Sequence, residues 1–296
     1  MKRILITGAG SYIGTSFADY LQKWPERYRT DTVDMIGDGW ESKSFRGYDA
    51  VFHVAGIAHA DSGRISQARA KLYYDVNTRL TIRTAMKAKR EGVRQFIFMS
   101  SAIVYGDSAP IGRQKRITRS TPVSPANCYG DSKVRAERGL QKLEDERFRV
   151  VILRPPMIYG PGSKGNYPLL AKLAQKLPVF PYVDNCRSML YIGNLTEFVR
   201  LMIEHDERGI FWPQNAEYSN TSRLVQMIAA AHGKRILLVP GCTLPLRIMG
   251  LGVGKVNKAF GNLTYDQALS HYREEYRITG LKESVRLTER AGSRKQ

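Results

Sequence analysis

The sequence predicts an α/β fold: a doubly wound parallel sheet with a smaller, more irregular C-terminal lobe. Three observations predict it. Short apolar runs alternate with longer amphipathic stretches through the first half of the chain, the pattern of β-α-β units. A glycine-rich turn at residues 8–14 follows the first apolar run and opens the first amphipathic stretch. After Pro155 the chain turns richer in Pro, Gly and Asn, and its helical segments shorten. The boundary is therefore placed after residue 155, giving a larger first domain over 1–155 and a smaller α/β lobe over 156–296, in part interleaved with the first.

Taken in order, residues 4–7 read as a strand and 12–24 as a helix stopped at Pro25. Strands follow at 29–34 and at 50–55, the latter bounded by Gly47 and Gly56. The stretch between Tyr28 and Asp49 is short for two full strands. Residues 72–91 read as a long helix with Gly92 as its stop, 95–100 as a strand ending in polar residues, 129–144 as a helix and 149–153 as a strand before Pro155 and Pro156. Short helices are expected at 167–175, 195–204 and 222–232. With no internal repeat or Ser/Gly linker, the two parts are expected to share one body.

Composition excludes several classes. At 296 residues, with 43% hydrophobic and 25% charged residues, the chain has ample length for a buried core and requires no disorder. Cys128, Cys186 and Cys242 are isolated and form no metal-ligand spacing, which points away from zinc and disulfides and toward a reducing cytoplasm. No apolar run is long enough to span a bilayer, because the candidate at 244–256 is broken by Arg247 and glycines. The net charge of +19 is unusual and draws anionic partners. It accompanies no zinc-finger, RRM or helix-turn-helix pattern, so a solvated basic surface is expected rather than a nucleic-acid site, with loose attraction to an anionic membrane still open.

The motif Thr7-Gly8-Ala9-Gly10-Ser11-Tyr12-Ile13-Gly14 sits where a strand meets a helix. A tight turn there aims the helix N-terminus and backbone N–H groups at a pyrophosphate, while Gly14 permits close helix–sheet packing. No Gly-Lys-Ser/Thr follows, so a triphosphate loop is not expected. Asp34, about twenty residues on, suits ribose hydroxyls, with Asp38 as the other candidate. No arginine follows Asp34, which tilts the cofactor toward NAD, although Arg29 or Arg46 could reach the 2′-phosphate of NADP. Farther along, Tyr129 and Lys133 are four apart on one helical face, preceded by Ser101 at a strand end. A free phenol titrates near 10, and a neighbouring ammonium favours the phenolate. A serine hydroxyl beside it can hold a carbinol or carbonyl oxygen.

These segments occur in a familiar order: TGAGSYIG, HVAG at 53–56, Asn77 in DVNTRLT, SSAIVYGDS at 100–108, YGDSK at 129–133, LRPPMIYGPG at 153–162 and RSMLYIGNL at 187–195. In this the chain resembles extended short-chain dehydrogenase/reductases of the NAD-dependent epimerase/dehydratase family, near UDP-glucose 4-epimerases and nucleotide-sugar 4-ketoreductases of polysaccharide biosynthesis. The resemblance implies a Rossmann-type sheet and a catalytic set of Ser101, Tyr129 and Lys133, in which Lys133 binds nicotinamide-ribose hydroxyls and lowers the tyrosine pKa. It implies a dinucleotide site formed by Gly8, Gly10, Ser11, Tyr12, Ile13, Gly14, Asp34 or Asp38, Ala55, Gly56 and Asn77, together with Tyr129 and Lys133. Ser11 stands where the family's middle glycine usually sits, and its hydroxyl could donate to a phosphate.

Substrate contacts are expected from Ser101, Arg187 on the diphosphate, Asn166, Tyr159 and Tyr191, with the two tyrosines equally readable as core. His53 and His59 read as structural histidines, and no metal is expected. The dehydratase Asp-Glu pair after the catalytic residue is replaced by Ala102-Ile103, disfavouring water elimination. What remains is C4 epimerisation of a UDP-sugar or reduction of a 4-keto sugar, with a non-catalytic NAD-sensing protein as the other class. The resemblance also implies a cytoplasmic homodimer built on helices 72–91 and 129–144.

Overall fold

The computed structural model describes residues 1–57, 65–252 and 254–293. His59 lies outside the described residues. Two compact units divide the chain: Met1–Gly106, Pro122–Pro155 and Leu195–Pro213 in one, and Asp107–Thr121, Pro156–Asn194 and Gln214–Gln296 in the other.

The first unit is built on a parallel sheet. Its strands are β1 (Lys2–Thr7), β2 (Tyr28–Val33), β3 (Ala50–His53), β4 (Gln95–Met99), Arg149–Leu153 and Gly209–Phe211. They lie side by side in the order β2, β1, β3, β4, Arg149–Leu153, Gly209–Phe211. Every residue of β3 and β4 is buried, as expected where helices cover both faces of a parallel sheet. The order reverses between β1 and β3, and in open α/β sheets a ligand crevice opens at the carboxyl ends of the strands beside such a reversal. Those ends are Thr7, His53 and Met99, next to the glycine turn and to Ser101.

Helices connect the strands. Helix α1 (Tyr12–Leu21) ends three residues before the expected Trp24, because Trp24 precedes Pro25 and is biased out of the helical region. Between Tyr28 and Asp49 there is one strand, and the rest is a short turn (Gly39–Glu41) and loop whose Trp40, Phe45 and Tyr48 join the hydrophobic core. The expected helix 72–91 is three consecutive pieces: α2 (Gln67–Tyr73), capped by Ser66, a π turn (Tyr74–Leu80) and α3 (Thr81–Arg90). A π turn widens the helix by one residue and commonly marks a functional position; here it carries Asn77. Helix α4 (Cys128–Gln141) is capped by Asn127, whose Oδ1 accepts from Gly130 N at 2.9 Å.

In the second unit the helix Asn166–Lys176 packs on Thr221–Ala231, which packs in turn on a C-terminal helix, Leu281–Ser293, absent from the sequence-based expectations. Three short parallel strand pairs complete it: Met157–Tyr159 with Met189–Tyr191, Val179–Pro181 with Leu237–Val239, and Arg116–Ile117 with Thr264–Tyr265.

His53 ties strand ends to the helix behind them. It is fully buried, with Nδ1 2.7 Å from Thr7 Oγ1 and Nε2 3.0 Å from Thr81 Oγ1. Thr81 donates its own hydroxyl hydrogen to the Asn77 carbonyl, so it accepts from Nε2–H, and Nδ1 accepts from Thr7. The imidazole is thus a neutral structural link. Burial, aided by the charge of Lys133, lowers its pKa to about 3. Below pH 6.5 the unfolded histidine takes up a proton that the folded one refuses, so this contribution is complete above 6.5 and declines as pH falls toward 3. The decline approaches about 1.4 kcal/mol per pH unit. Urea unfolding at pH 7 and pH 5 should show a smaller loss of stability in His53→Gln than in the wild type.

Candidate active site

The glycine turn is shaped by close approach. Gly8 has φ of +92°, and a Cβ there would lie 3.0 Å from the Ala55 backbone. At Gly14 a Cβ would meet Ser11 Oγ at 2.6 Å and Ile6 Cγ2 at 2.9 Å. Gly10, with φ of +71°, faces open space, since a Cβ there would find no atom within 4 Å. The N–H groups of Gly8 and Ala9 are used by the Val33 carbonyl. The donors for an anion are therefore the first turn of α1, which begins with Tyr12 and Ile13 and whose N–H groups have no acceptor inside the helix. Ser11 has a structural task beside the expected one: its oxygen caps α1 by accepting from Gly14 N at 3.2 Å. It therefore does structural work inside the turn, and only its hydroxyl hydrogen is left for a phosphate. Open space at Gly10 and a capped helix N-terminus fit a dinucleotide pyrophosphate.

Asp34 is exposed directly after β2, and one of its oxygens accepts from Ile36 N at 3.0 Å. Asp38 is exposed four residues farther on, before the turn Gly39–Glu41 and without a capping bond. The strand end beside β1 belongs to Asp34, which favours it for ribose hydroxyls. Asn77 is fully buried, accepting from Ile57 N at 2.8 Å and donating to Ile57 O and Ser132 Oγ. Its amide holds the chain after Gly56 against α4; it positions the site with protein contacts.

Ser101, Tyr129 and Lys133 come together in the first unit. Ser101 caps the turn Ala102–Tyr105, where its oxygen accepts from Ile103 N at 3.3 Å, and its hydroxyl is near enough to the Tyr129 phenol to favour the phenolate. Tyr129 is buried; burial pushes its pKa up to about 12, opposed by Ser101. Lys133 is also buried, donating from Nζ to the Met99 carbonyl at 2.9 Å and lying 4.7 Å from the Phe98 ring centre. Burial lowers its pKa to about 8, and Glu137 pulls the other way. The expected lowering of the tyrosine pKa by Lys133 is absent in this arrangement, because the ammonium is directed at the β4 carbonyl and Ser101 alone favours the phenolate.

Behind this set lies a buried network missed by sequence reasoning. Arg154 donates to both oxygens of Glu137, at 3.1 and 2.6 Å, and to the Tyr105 hydroxyl at 2.7 Å. Trp212 donates to the same hydroxyl, and Ser100 to Glu137. Glu137 lies one helical turn beyond Lys133, and Tyr105 closes the turn that Ser101 caps, so Arg154 braces both catalytic elements. The spacing of four from Lys133 was the available signal.

In the second unit, Arg187 donates to the carbonyls of Lys258 at 2.7 Å and Gly261 at 3.2 Å. Among the described residues no carboxylate pairs with it, and burial lowers its pKa to about 10. It is not a surface salt bridge. Tyr159 is corrected to a core residue: fully buried, it bonds Ser284 and Asn215 through its hydroxyl and stacks on Tyr167 at 5.2 Å. Tyr191 is likewise buried beside it, at 5.8 Å between rings, and Gly193 leaves room for its ring. Both tyrosines are committed to packing. Asn166 is exposed at the first position of its helix.

The family description "NAD dependent epimerase/dehydratase family" matches residues 4–211. The chain belongs to this family. A UDP-glucose 4-epimerase of Vibrio cholerae is 30% identical over 92% of this chain and 89% of its own length. An N-acetyl-alpha-D-glucosaminyl-diphospho-ditrans,octacis-undecaprenol 4-epimerase of Escherichia coli O157:H7 is 29% identical over 84% of this chain and 77% of its own. The crystal structure of UDP-glucuronic acid 4-epimerase from Bacillus cereus in complex with NAD superimposes with a TM-score of 0.74 over 99% of both chains at 16% identity, which shows the shared fold. Membership in this NAD-dependent family makes NAD the cofactor and identifies the chain as an enzyme of nucleotide-sugar epimerase, dehydratase or reductase type.

Two substitutions test the bracing network. Arg154→Met leaves the Glu137 charge buried without its partner and should cost about 3–5 kcal/mol in chemical unfolding. Glu137→Gln removes the charge that holds the Lys133 proton. The alkaline limb of its kcat profile should therefore move to lower pH, whereas an unmoved limb would show that Glu137 acts on stability alone.

Proposed function

We propose that the chain interconverts C4 epimers of a nucleotide-diphosphate sugar, a UDP-sugar, through a transient 4-ketone. The Ser101 hydroxyl beside the buried Tyr129 phenol, near enough to favour its ionised form, carries this reading. That arrangement sets an oxygen-orienting hydroxyl against a proton-transfer group, with an ammonium one helical turn along. NAD, held at the first turn of α1 and by Asp34, supplies hydride acceptance and return at C4 when bound. Ser101 orients the C4 oxygen and Tyr129 exchanges its proton with it. With its raised pKa the phenol rests protonated, ready to donate to a 4-keto oxygen, and the Ser101 hydroxyl favours the phenolate that takes a proton from the carbinol.

Arg187 would hold the diphosphate, since a guanidinium desolvated without a counter-charge gains most from an anion that accepts two hydrogen bonds. A diphosphate is common to nucleotide sugars and to the lipid-linked substrate named for the E. coli relative. The Ala102-Ile103 pair speaks against dehydration. A cytoplasmic homodimer using α3 and α4 belongs to the same reading.

The test is incubation with UDP-sugars and NAD, with product analysis alongside absorbance of reduced nicotinamide. Epimer exchange without net nicotinamide change is expected; stoichiometric oxidation of NADH or NADPH with a 4-keto sugar would instead assign reduction. Tyr129→Phe should lower kcat by about 10²–10⁴-fold with NAD binding retained, and unchanged turnover would sink the assignment. Arg187→Met should raise KM by roughly 10–100-fold with a much smaller effect on kcat.

A further inference from the structure

The second unit carries a long stretch of one charge sign. Between Glu217 and Asp266 the sequence has six lysines and arginines and no acidic residue, and between Pro156 and Asp184 it has three lysines and again none. The same stretches hold much of the exposed apolar surface of this unit. Leu244 is 65% exposed, Ile248 62% and Met249 51% on the helix Thr243–Gly252. Leu237 and Val239 are exposed on the strand three residues upstream, and Val179 on its pairing partner. Leu169 is exposed on the helix Asn166–Lys176.

The cations lie among these side chains. Leu244, Arg247 and Ile248 are spaced i, i+3 and i+4, so one helical face presents two apolar side chains and a guanidinium. Leu169, Lys172 and Lys176, spaced i, i+3 and i+7, put one apolar side chain and two cations on one face of the other helix, and the Lys234 ammonium donates to the Gln175 carbonyl at 2.6 Å, joining that helix end to the basic segment. Arg235, Arg247, Lys172 and Lys176 are exposed and make no ion pair among the described residues.

We propose that this face seats the protein on an anionic phospholipid bilayer, with Leu244, Ile248 and Met249 entering the headgroup boundary and Arg235, Arg247, Lys172 and Lys176 meeting lipid phosphates. Short aliphatic side chains interleaved with cations on one helical face are what a shallow interfacial helix requires, since the apolar part supplies insertion and the charge supplies selectivity for anionic lipid. Lysine and arginine stems can lie along the apolar surface while their heads reach phosphate. The seating is peripheral: among the described residues no helix is long and apolar enough to cross a membrane. A nucleic-acid partner would use the charge but not the exposed leucine, isoleucine and methionine. The inference stands apart from the proposed reaction, because none of these side chains is assigned to cofactor or substrate.

Cosedimentation of the full chain with vesicles tests it, using 70:30 phosphatidylcholine:phosphatidylglycerol against phosphatidylcholine alone. Binding to the anionic vesicles and at least tenfold weaker binding to neutral ones is expected, with a marked drop in 0.5 M salt. The pair Ile248→Glu/Met249→Glu and the pair Arg235→Glu/Arg247→Glu should each weaken binding about tenfold or more, with turnover of a soluble sugar nucleotide and the circular dichroism spectrum unchanged. Absent or lipid-independent sedimentation would overturn the proposal. So would an apolar pair that binds like the wild type, because the charge alone would then suffice. A halved solution mass in the apolar pair, by light scattering, would assign the face to a second copy of the chain and equally overturn it.

Discussion

The buried ammonium of Lys133 is the constraint on which the candidate catalytic set of Ser101, Tyr129 and Lys133 depends. Removing an ion from water costs several kcal/mol unless polar groups replace its hydration, and here the Met99 carbonyl, the face of Phe98 and the charge of Glu137 do so. They come from two parts of the first unit's frame. Met99 and Phe98 end β4, and Glu137 lies one turn along α4. Meeting those requirements holds α4 over the end of β4, which brings Tyr129 to Ser101. The Arg154 guanidinium then closes the system by joining Glu137 to Tyr105, so that the serine turn and the tyrosine helix share one rigid support.

The cofactor side follows a related logic of occupied and unoccupied polar groups. Gly8 and Ala9 direct their N–H groups inward to Val33, Ser11 caps the helix, and Asn77 satisfies the chain at Ile57. Turn geometry is thereby secured at the cost of one first-turn donor of α1, the Gly14 N–H held by the Ser11 cap. Serine in place of a glycine is compatible with this because its side chain turns back to cap the helix.

The two units divide the electrostatic tasks. The first buries its charges in pairs or against carbonyls, and the acid–base group is tuned by desolvation. The second keeps its positive charge largely outside, with Arg187 half-withdrawn and bonded to carbonyls rather than to a carboxylate. A guanidinium in that state is electrically unbalanced, and its energy is lowest with an anion present.

Much of the frame could be read from residue pattern. Periodicity and punctuation located five of the six strands of the central sheet within two residues, since a strand buried on both faces must be continuously apolar and must end in polar or glycine residues; the short edge strand Gly209–Phe211 was not expected. The glycine turn was legible because φ above zero and close backbone approach admit few other residues. The spacing of Tyr129 and Lys133 placed them on one helical face. Tertiary structure decided what depends on partners distant in sequence: that Tyr159 and Tyr191 are core, that Ser11 caps α1, that Asn77 lies in a π turn and that Arg154 braces Glu137. Above all it decided the state of the tyrosine. A sequence shows that an ammonium is four residues away, but whether that charge favours the phenolate depends on where the ammonium points and how much water surrounds both groups, and those are properties of the packed fold.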